Sequence, residues 1–90
     1  MNFEWDEAKR LSNLAKHGID FRVGRRLFDG RPVVTIPSPF SDEARFLTTG
    51  VVDDLFITVV WTYRADGIRI ISARRARNAE KGAHRSLYGG

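Results

Sequence analysis

Apolar and polar residues change period several times along the chain, and each change marks an expected element. Phe3 and Trp5 flank Glu4, an alternation that reads as a short edge strand. From Asp6 onward the period lengthens. Ala8, Leu11, Leu14 and Ala15 recur at helical spacing, which predicts a helix to about His17 with those four residues inward and Lys9, Asn13 and Lys16 facing solvent. Asp6 is the expected N-cap, because its carboxylate can accept from amides of the first turn. Gly18 suits the left-handed position after the helix, with Ile19 folding back on Leu14 in a Schellman turn. Asp20 caps a second, shorter helix with Phe21, Leu27 and Phe28 inward and Arg22, Arg25 and Arg26 outward, closed by Asp29-Gly30.

The second half alternates at strand period. Val33 to Ile36 is a short strand closed by Pro37 and Pro39. Arg45 to Val52, Leu55 to Tyr63 and Ile68 to Ala73 follow, joined by Asp53-Asp54 and by Arg64-Ala65-Asp66-Gly67, both short enough for hairpins. Leu55 to Trp61 is so apolar that it should be the central strand, covered on both faces. In the strand from Ile68, Arg69, Ile71 and Ala73 share one face while Ile68 and Ile70 fill the other. Arg74 to Tyr88 returns to helical spacing, with Ala76, Ala79, Ala83 and Leu87 on one face and Arg74, Arg77, Lys81 and Arg85 on the opposite one. Gly82 costs that helix about 1 kcal/mol relative to alanine. The expectation is an α+β fold over residues 1–90 as a single domain. It has two N-terminal helices, an antiparallel four-stranded meander with a short N-terminal edge strand, and a C-terminal helix.

Composition narrows the function classes. A hydrophobic share of 42% in 90 residues supports one packed core rather than disorder. There is no cysteine, which excludes a disulfide scaffold, a thiolate metal cluster and a cysteine nucleophile. The first residues lack a basic region and an apolar core, and Leu55 to Trp61 is too short to span a bilayer, so a cytoplasmic protein without a membrane partner is expected. Of the net charge of +4, the stretch from Arg64 onward carries more than its share, with seven Arg or Lys against Asp66 and Glu80. Such lopsidedness fits a polyanion or an acidic protein partner, and equally a solvated helix face.

Arginines within strands need a reason to be there. Arg45 and Arg69 must each snorkel, pair with a carboxylate or line a charged groove. With Arg74, Arg75 and Arg77, Arg69 forms a basic ridge where strand meets helix. A guanidinium can hold two phosphate oxygens and stays charged at any working pH. Fixed cations of this kind stabilise the charge that builds on a phosphoryl group when a 2′-hydroxyl attacks it, without requiring a metal. His17, a lysine, a carboxylate such as Glu43 and Tyr88 are the candidates for proton transfer, although His17 also reads as an ordinary helix-end residue. No carboxylate cluster or His/Asp spacing points to a metal site, and no cofactor is expected.

Several of these segments together resemble the BrnT family of toxins. They are Phe3-Glu4-Trp5-Asp6, Lys16-His17-Gly18-Ile19 with Phe21, Arg45-Phe46 with Gly50, Val59-Val60-Trp61-Thr62, and above all Arg69-Ile70-Ile71-Ser72-Ala73-Arg74. The resemblance implies a RelE-like fold and metal-independent endoribonuclease activity that inhibits translation. It also implies neutralisation by a ribbon-helix-helix antitoxin of the BrnA type, with operator DNA contacted only through that complex. Carried residue by residue, it matches Trp5, Lys16, His17, Arg45, Arg69 and Arg74, and more loosely Arg75 and Glu80. Lys16, His17, Arg45, Arg69 and Arg74 are then the expected catalytic residues, and Trp5 a core residue or a base-stacking one. Arg75, Arg77 and Lys81, from the basic ridge and the charged helix face, are the expected RNA-binding residues. One departure stands out: Glu80-Lys81-Gly82-Ala83-His84 brings a glycine into the last helix, and the tyrosine comes late, at Tyr88. The alternative function is a catalytically inactive RNA- or antitoxin-binding module.

Overall fold

The computed structural model describes residues 1–39 and 42–89. Its elements are β1 (Asn2–Glu4), α1 (Glu7–His17), α2 (Phe21–Gly24) continued by a 3-10 turn (Arg25–Phe28), β2 (Val33–Pro37), β3 (Arg45–Val52), β4 (Leu55–Arg64), β5 (Gly67–Arg75) and α3 (Asn78–Tyr88). The strands form one sheet in the order β1-β5-β4-β3-β2. β2 to β5 make the antiparallel meander, and β1 adds parallel to β5. The α+β architecture is as the sequence predicts, with β4 in the middle.

Local chemistry sets the junctions. The Asp6 carboxylate accepts from the Lys9 amide and Asp20 does the same for Arg22. Gly18 is left-handed at φ 73°, and its N–H donates to the Leu14 carbonyl. That single bond is the simpler αL ending rather than a Schellman pair, and Ile19 drops into the sheet core. Asp53 and Asp54 both have positive φ, the type I′ geometry that matches the twist of the hairpin it closes. At Gly67, a Cβ would lie 2.0 Å from the Asn2 carbonyl oxygen, so only glycine lets β1 approach β5.

The two faces of the sheet differ. Ile57, Val59, Trp61, Ile68, Ile70 and Ala73 face α2 and its 3-10 turn, where Ile19, Phe21 and Leu27 complete the core. Burying each of the larger side chains contributes about 1.5–3 kcal/mol. The Trp61 indole N–H donates to Thr48 Oγ1, so the aromatic core leaves no polar debt there. α3 leans on the opposite face, over β2 and β3.

Three sequence expectations fail, each for a long-range reason. On α1 the buried residues are Arg10 and Asn13, whereas Ala8, Leu11, Leu14 and Ala15 are exposed. Arg10 is drawn in by Glu7 and by Asp20 at 2.7 Å. Asn13, expected in solvent, donates to the carbonyls of Ile19 and Ala73 and accepts from the Ala73 amide and the Ser72 hydroxyl. β1 covers the edge of β5 only as far as Arg69, and the Asn13 amide takes over the pairing at Ala73. In β5, Ile71 is an extra residue opposite the Val60/Trp61 junction. That bulge moves Ala73 to the core face with Ile70, not to the face of Arg69. In the last segment, Arg74 and Arg75 belong to β5, and α3 begins only at Asn78. Its inward residues include Glu80 and His84, while Leu87 is 67% exposed.

Candidate functional site

The face of the sheet that α3 covers only in part collects the strand arginines. Arg45 of β3 lies opposite Thr62 of β4, Thr62 opposite Arg69 of β5, and Arg69 opposite Glu4 of β1. Alternation puts these four residues on one face and in one row across four strands. Arg45 and Arg69, two strands apart, are separated by about 10 Å at the backbone. Arg64 joins the row from the next position of β4 on that face. Thr62 is nearly buried, its hydroxyl donating to the Ala44 carbonyl. Arg45 is held by Glu43 at 3.2 Å. Arg64 and Arg69 share Glu4 at 3.4 and 3.7 Å.

Arg74 lies farther along the same face, opposite Thr58. Thr58 lies four positions before Thr62 in β4, about 13 Å away. Arg74 is not free. Its guanidinium makes a two-pronged pair with Glu80, at 2.8 and 2.9 Å, and both side chains are about 15% exposed. Glu80 also accepts from the Thr58 hydroxyl at 3.0 Å and the Arg77 amide at 2.7 Å, and Thr58 shares a hydrogen bond with Thr49. The Arg74 guanidinium is the main cause that holds the Glu80 carboxyl down at about 2, against an ordinary value of 4.5, and Glu80 in turn raises Arg74. The pair therefore fastens the start of α3 to the sheet.

The remaining sequence candidates scatter around this face. Lys16 is exposed and His17 half-buried at the end of α1, and neither has a hydrogen bond or ion pair among the described residues. Both follow Asn13 on α1, about one turn beyond its contact with Ala73. Arg75 is exposed, and Arg77 is exposed at the N-cap of α3, so the expected ridge of Arg69, Arg74, Arg75 and Arg77 is dispersed. Lys81 is half-buried on α3. Tyr88 donates its hydroxyl to the Val33 carbonyl at 2.7 Å, which ties it to β2. Trp5 packs edge-on against Phe21 and donates to Glu7.

Sequence reasoning missed Glu4, Thr58 and Thr62 as neighbours of the arginines, because their adjacency is set by strand register. His84 is buried against Phe56 and Tyr88, with Nε2 at 3.1 Å from the Pro32 carbonyl and Nδ1 unpartnered among the described residues. Among the described residues there is no group of three or more His, Cys, Asp or Glu placed to share a metal ion. No described helix is long and apolar enough to cross a membrane.

Residues 5–80 match a family model described as the ribonuclease toxin BrnT of the type II toxin–antitoxin system. The chain belongs to the BrnT family. BrnT proteins are ribonuclease toxins, so RNA is the substrate and a cognate antitoxin the partner. The BrnT match takes in α1, α2 and the sheet from β2 to β5, with Arg45, Arg69 and Arg74, and ends at the Glu80 that grips Arg74. The glycine-bearing remainder of α3 lies beyond it. No curated protein matches this BrnT chain.

Proposed function

We propose that this BrnT toxin cuts RNA without a metal ion, by laying a single strand along the α3-side face of the sheet. The observation that carries the reading is the row Arg45–Thr62–Arg69, with Arg74 further along the same face. In the reaction the 2′-oxygen attacks the adjacent phosphorus and the bond from phosphorus to the 5′-oxygen breaks. The products are a 2′,3′-cyclic phosphate and a free 5′-hydroxyl. Negative charge builds on the non-bridging oxygens, and permanently protonated guanidiniums stabilise it where water is partly excluded. Arg45 and Arg69 supply that charge. Lys16, His17, Arg75, Arg77 and Lys81 hold the neighbouring phosphates and steer the strand onto the face.

Cleavage of RNA in the cytoplasm stops translation, and a ribbon-helix-helix antitoxin of the BrnA type neutralises the toxin, the complex alone reaching operator DNA. A second reading is favoured by the Arg74–Glu80 pair, which spends one arginine on structure. On that reading the chain binds RNA or antitoxin without cutting.

The test uses purified protein, a labelled RNA and EDTA, with wild type beside Arg45→Ala/Arg69→Ala. Expected are cyclic-phosphate ends from the wild type in EDTA, and loss of cleavage in the variant on the order of 10³-fold, the scale of removing a fixed transition-state donor. Cleavage that vanishes in EDTA and returns with a divalent cation refutes the metal-free step. Binding without cutting, at a salt slope near −0.7 per phosphate contact, supports the second reading.

A further inference from the structure

The arginine row ends at a carboxylate that the arginines approach without saturating. Glu4 sits between Arg64 and Arg69 at 3.4 and 3.7 Å, longer than the usual charge-assisted hydrogen bond of about 2.7–2.9 Å. Its side chain is half exposed, and it accepts no hydrogen bond among the described residues. Of the other carboxylates, both oxygens of Glu80 are bonded and Glu43 accepts from the Arg45 Nε, while Asp66 sits in the turn between β4 and β5, off the arginine row. Glu4 and Arg64 also line a cavity of about 360 Å³, closed by Phe3, Ile68 and the turn Ala65–Gly67. A phosphate bound between Arg45 and Arg69 would have Glu4 on the far side of Arg69 in the same row, with this hollow beside Glu4, at the β1–β5 edge, for the attached nucleoside.

We propose that Glu4 is a catalytic residue, the base that removes the 2′-hydroxyl proton, and that the cavity beside it receives the base of the attacking nucleotide. The proposal deepens the ribonuclease reading and rests on it. The proton passes from the 2′-oxygen to a Glu4 oxygen as the new bond to phosphorus forms. The leaving 5′-oxygen takes a proton from water, and the hydroxide left behind is neutralised by the Glu4 proton. Arg64 and Arg69 keep the carboxylate turned toward the row. Lys16 and His17, at the far end of α1, take no part in this transfer.

The experiment compares wild type with Glu4→Gln and Glu43→Gln, measuring kcat and KM on one RNA and affinity for the same RNA carrying 2′-deoxy sugars. Glutamine still accepts hydrogen bonds from the arginines but is no base, so it separates proton transfer from positioning. Expected for Glu4→Gln is a fall in kcat on the order of 10²–10⁴-fold, with KM and 2′-deoxy RNA affinity within about threefold of wild type. An unchanged thermal midpoint certifies the fold, since Glu4 is half exposed on an edge strand. If Glu4→Gln keeps its kcat within about threefold while Glu43→Gln loses it, Glu4 is not the base. A wild type that cuts no RNA overturns this proposal together with the ribonuclease reading, whereas a Glu4→Gln variant with kcat within about threefold of wild type overturns only the former.

Discussion

Replacing Arg74 by alanine tests whether this arginine first of all fastens α3. In the folded protein its guanidinium meets both oxygens of Glu80, and the two side chains are about 15% exposed. Removing it leaves a largely buried carboxylate with only Thr58 and the Arg77 amide as donors. Glu80 is depressed from 4.5 to about 2, which corresponds to about 3 kcal/mol favouring its charged form at neutral pH. The Arg74 guanidinium is the largest single cause. Breaking a buried pair from one side costs about 3–5 kcal/mol, so Arg74→Ala is expected to lose about 2–4 kcal/mol, the lower bound allowing for the residual exposure. Removing both partners relieves the unpaired carboxylate, and Arg74→Ala/Glu80→Ala should recover at least about 1 kcal/mol. The assay is urea unfolding of wild type, both single variants and the double variant, read as a coupling energy. A coupling below about 0.5 kcal/mol would falsify the assignment. It follows that growth relief by Arg74→Ala alone says little about phosphate contact, and Arg69→Ala is the cleaner probe of the arginine row.

Acid should loosen the same contact. The folded Glu80 carboxyl lies at about 2 and Asp20 likewise, against 4.5 and 3.8, so both contribute stability above their unfolded values that is lost as pH falls toward 2. Unfolding free energy should therefore decline between about pH 4.5 and 2, and a shallower decline in Glu80→Gln would identify that share, whereas an unchanged one would rule it out. Asn13→Ala strands the amide and carbonyl of Ala73 and the carbonyl of Ile19. It should cost about 2–4 kcal/mol in urea unfolding, with faster hydrogen exchange at Ala73, and a loss under 1 kcal/mol would remove the edge-pairing role. Asp54→Gly relieves a positive φ of 67° and should raise stability by about 0.5–1 kcal/mol, and a decrease would contradict the type I′ reading.

What could be read from the sequence was what neighbours in the chain decide. Asp6 and Asp20 as caps, left-handed Gly18, the two-residue Asp53–Asp54 turn and the alternation of β3 and β4 all depend on contacts within a few residues. What could not be read depends on partners far along the chain. Leu11 and Leu14 give α1 an apolar stripe, yet Asn13 is the residue turned inward, because Ala73 sixty positions later offers two backbone groups that need partners. One unpaired residue, Ile71, reverses the face of Ala73, and no local pattern announces it. The candidate site was half legible: Arg45 and Arg69 lie within strands as expected, but Arg74, read as the start of the last helix, joins their face only through the Ile71 bulge. The Glu80 that occupies Arg74 and the Glu4 that stands between Arg64 and Arg69 appear only with the register.

The Asn13 contact also bears on self-association. A sheet grows by templating another strand along an open edge, and small β-rich chains are prone to it. Here one flank is closed twice, by β1 up to Arg69 and then by a helix side chain that mimics a strand at Ala73. The opposite flank, β2, ends in Pro37, which has no amide to donate, and its Val33 carbonyl is already taken by Tyr88. Neither border of the sheet offers a long, uninterrupted ladder, so filament growth by strand addition is discouraged on both sides.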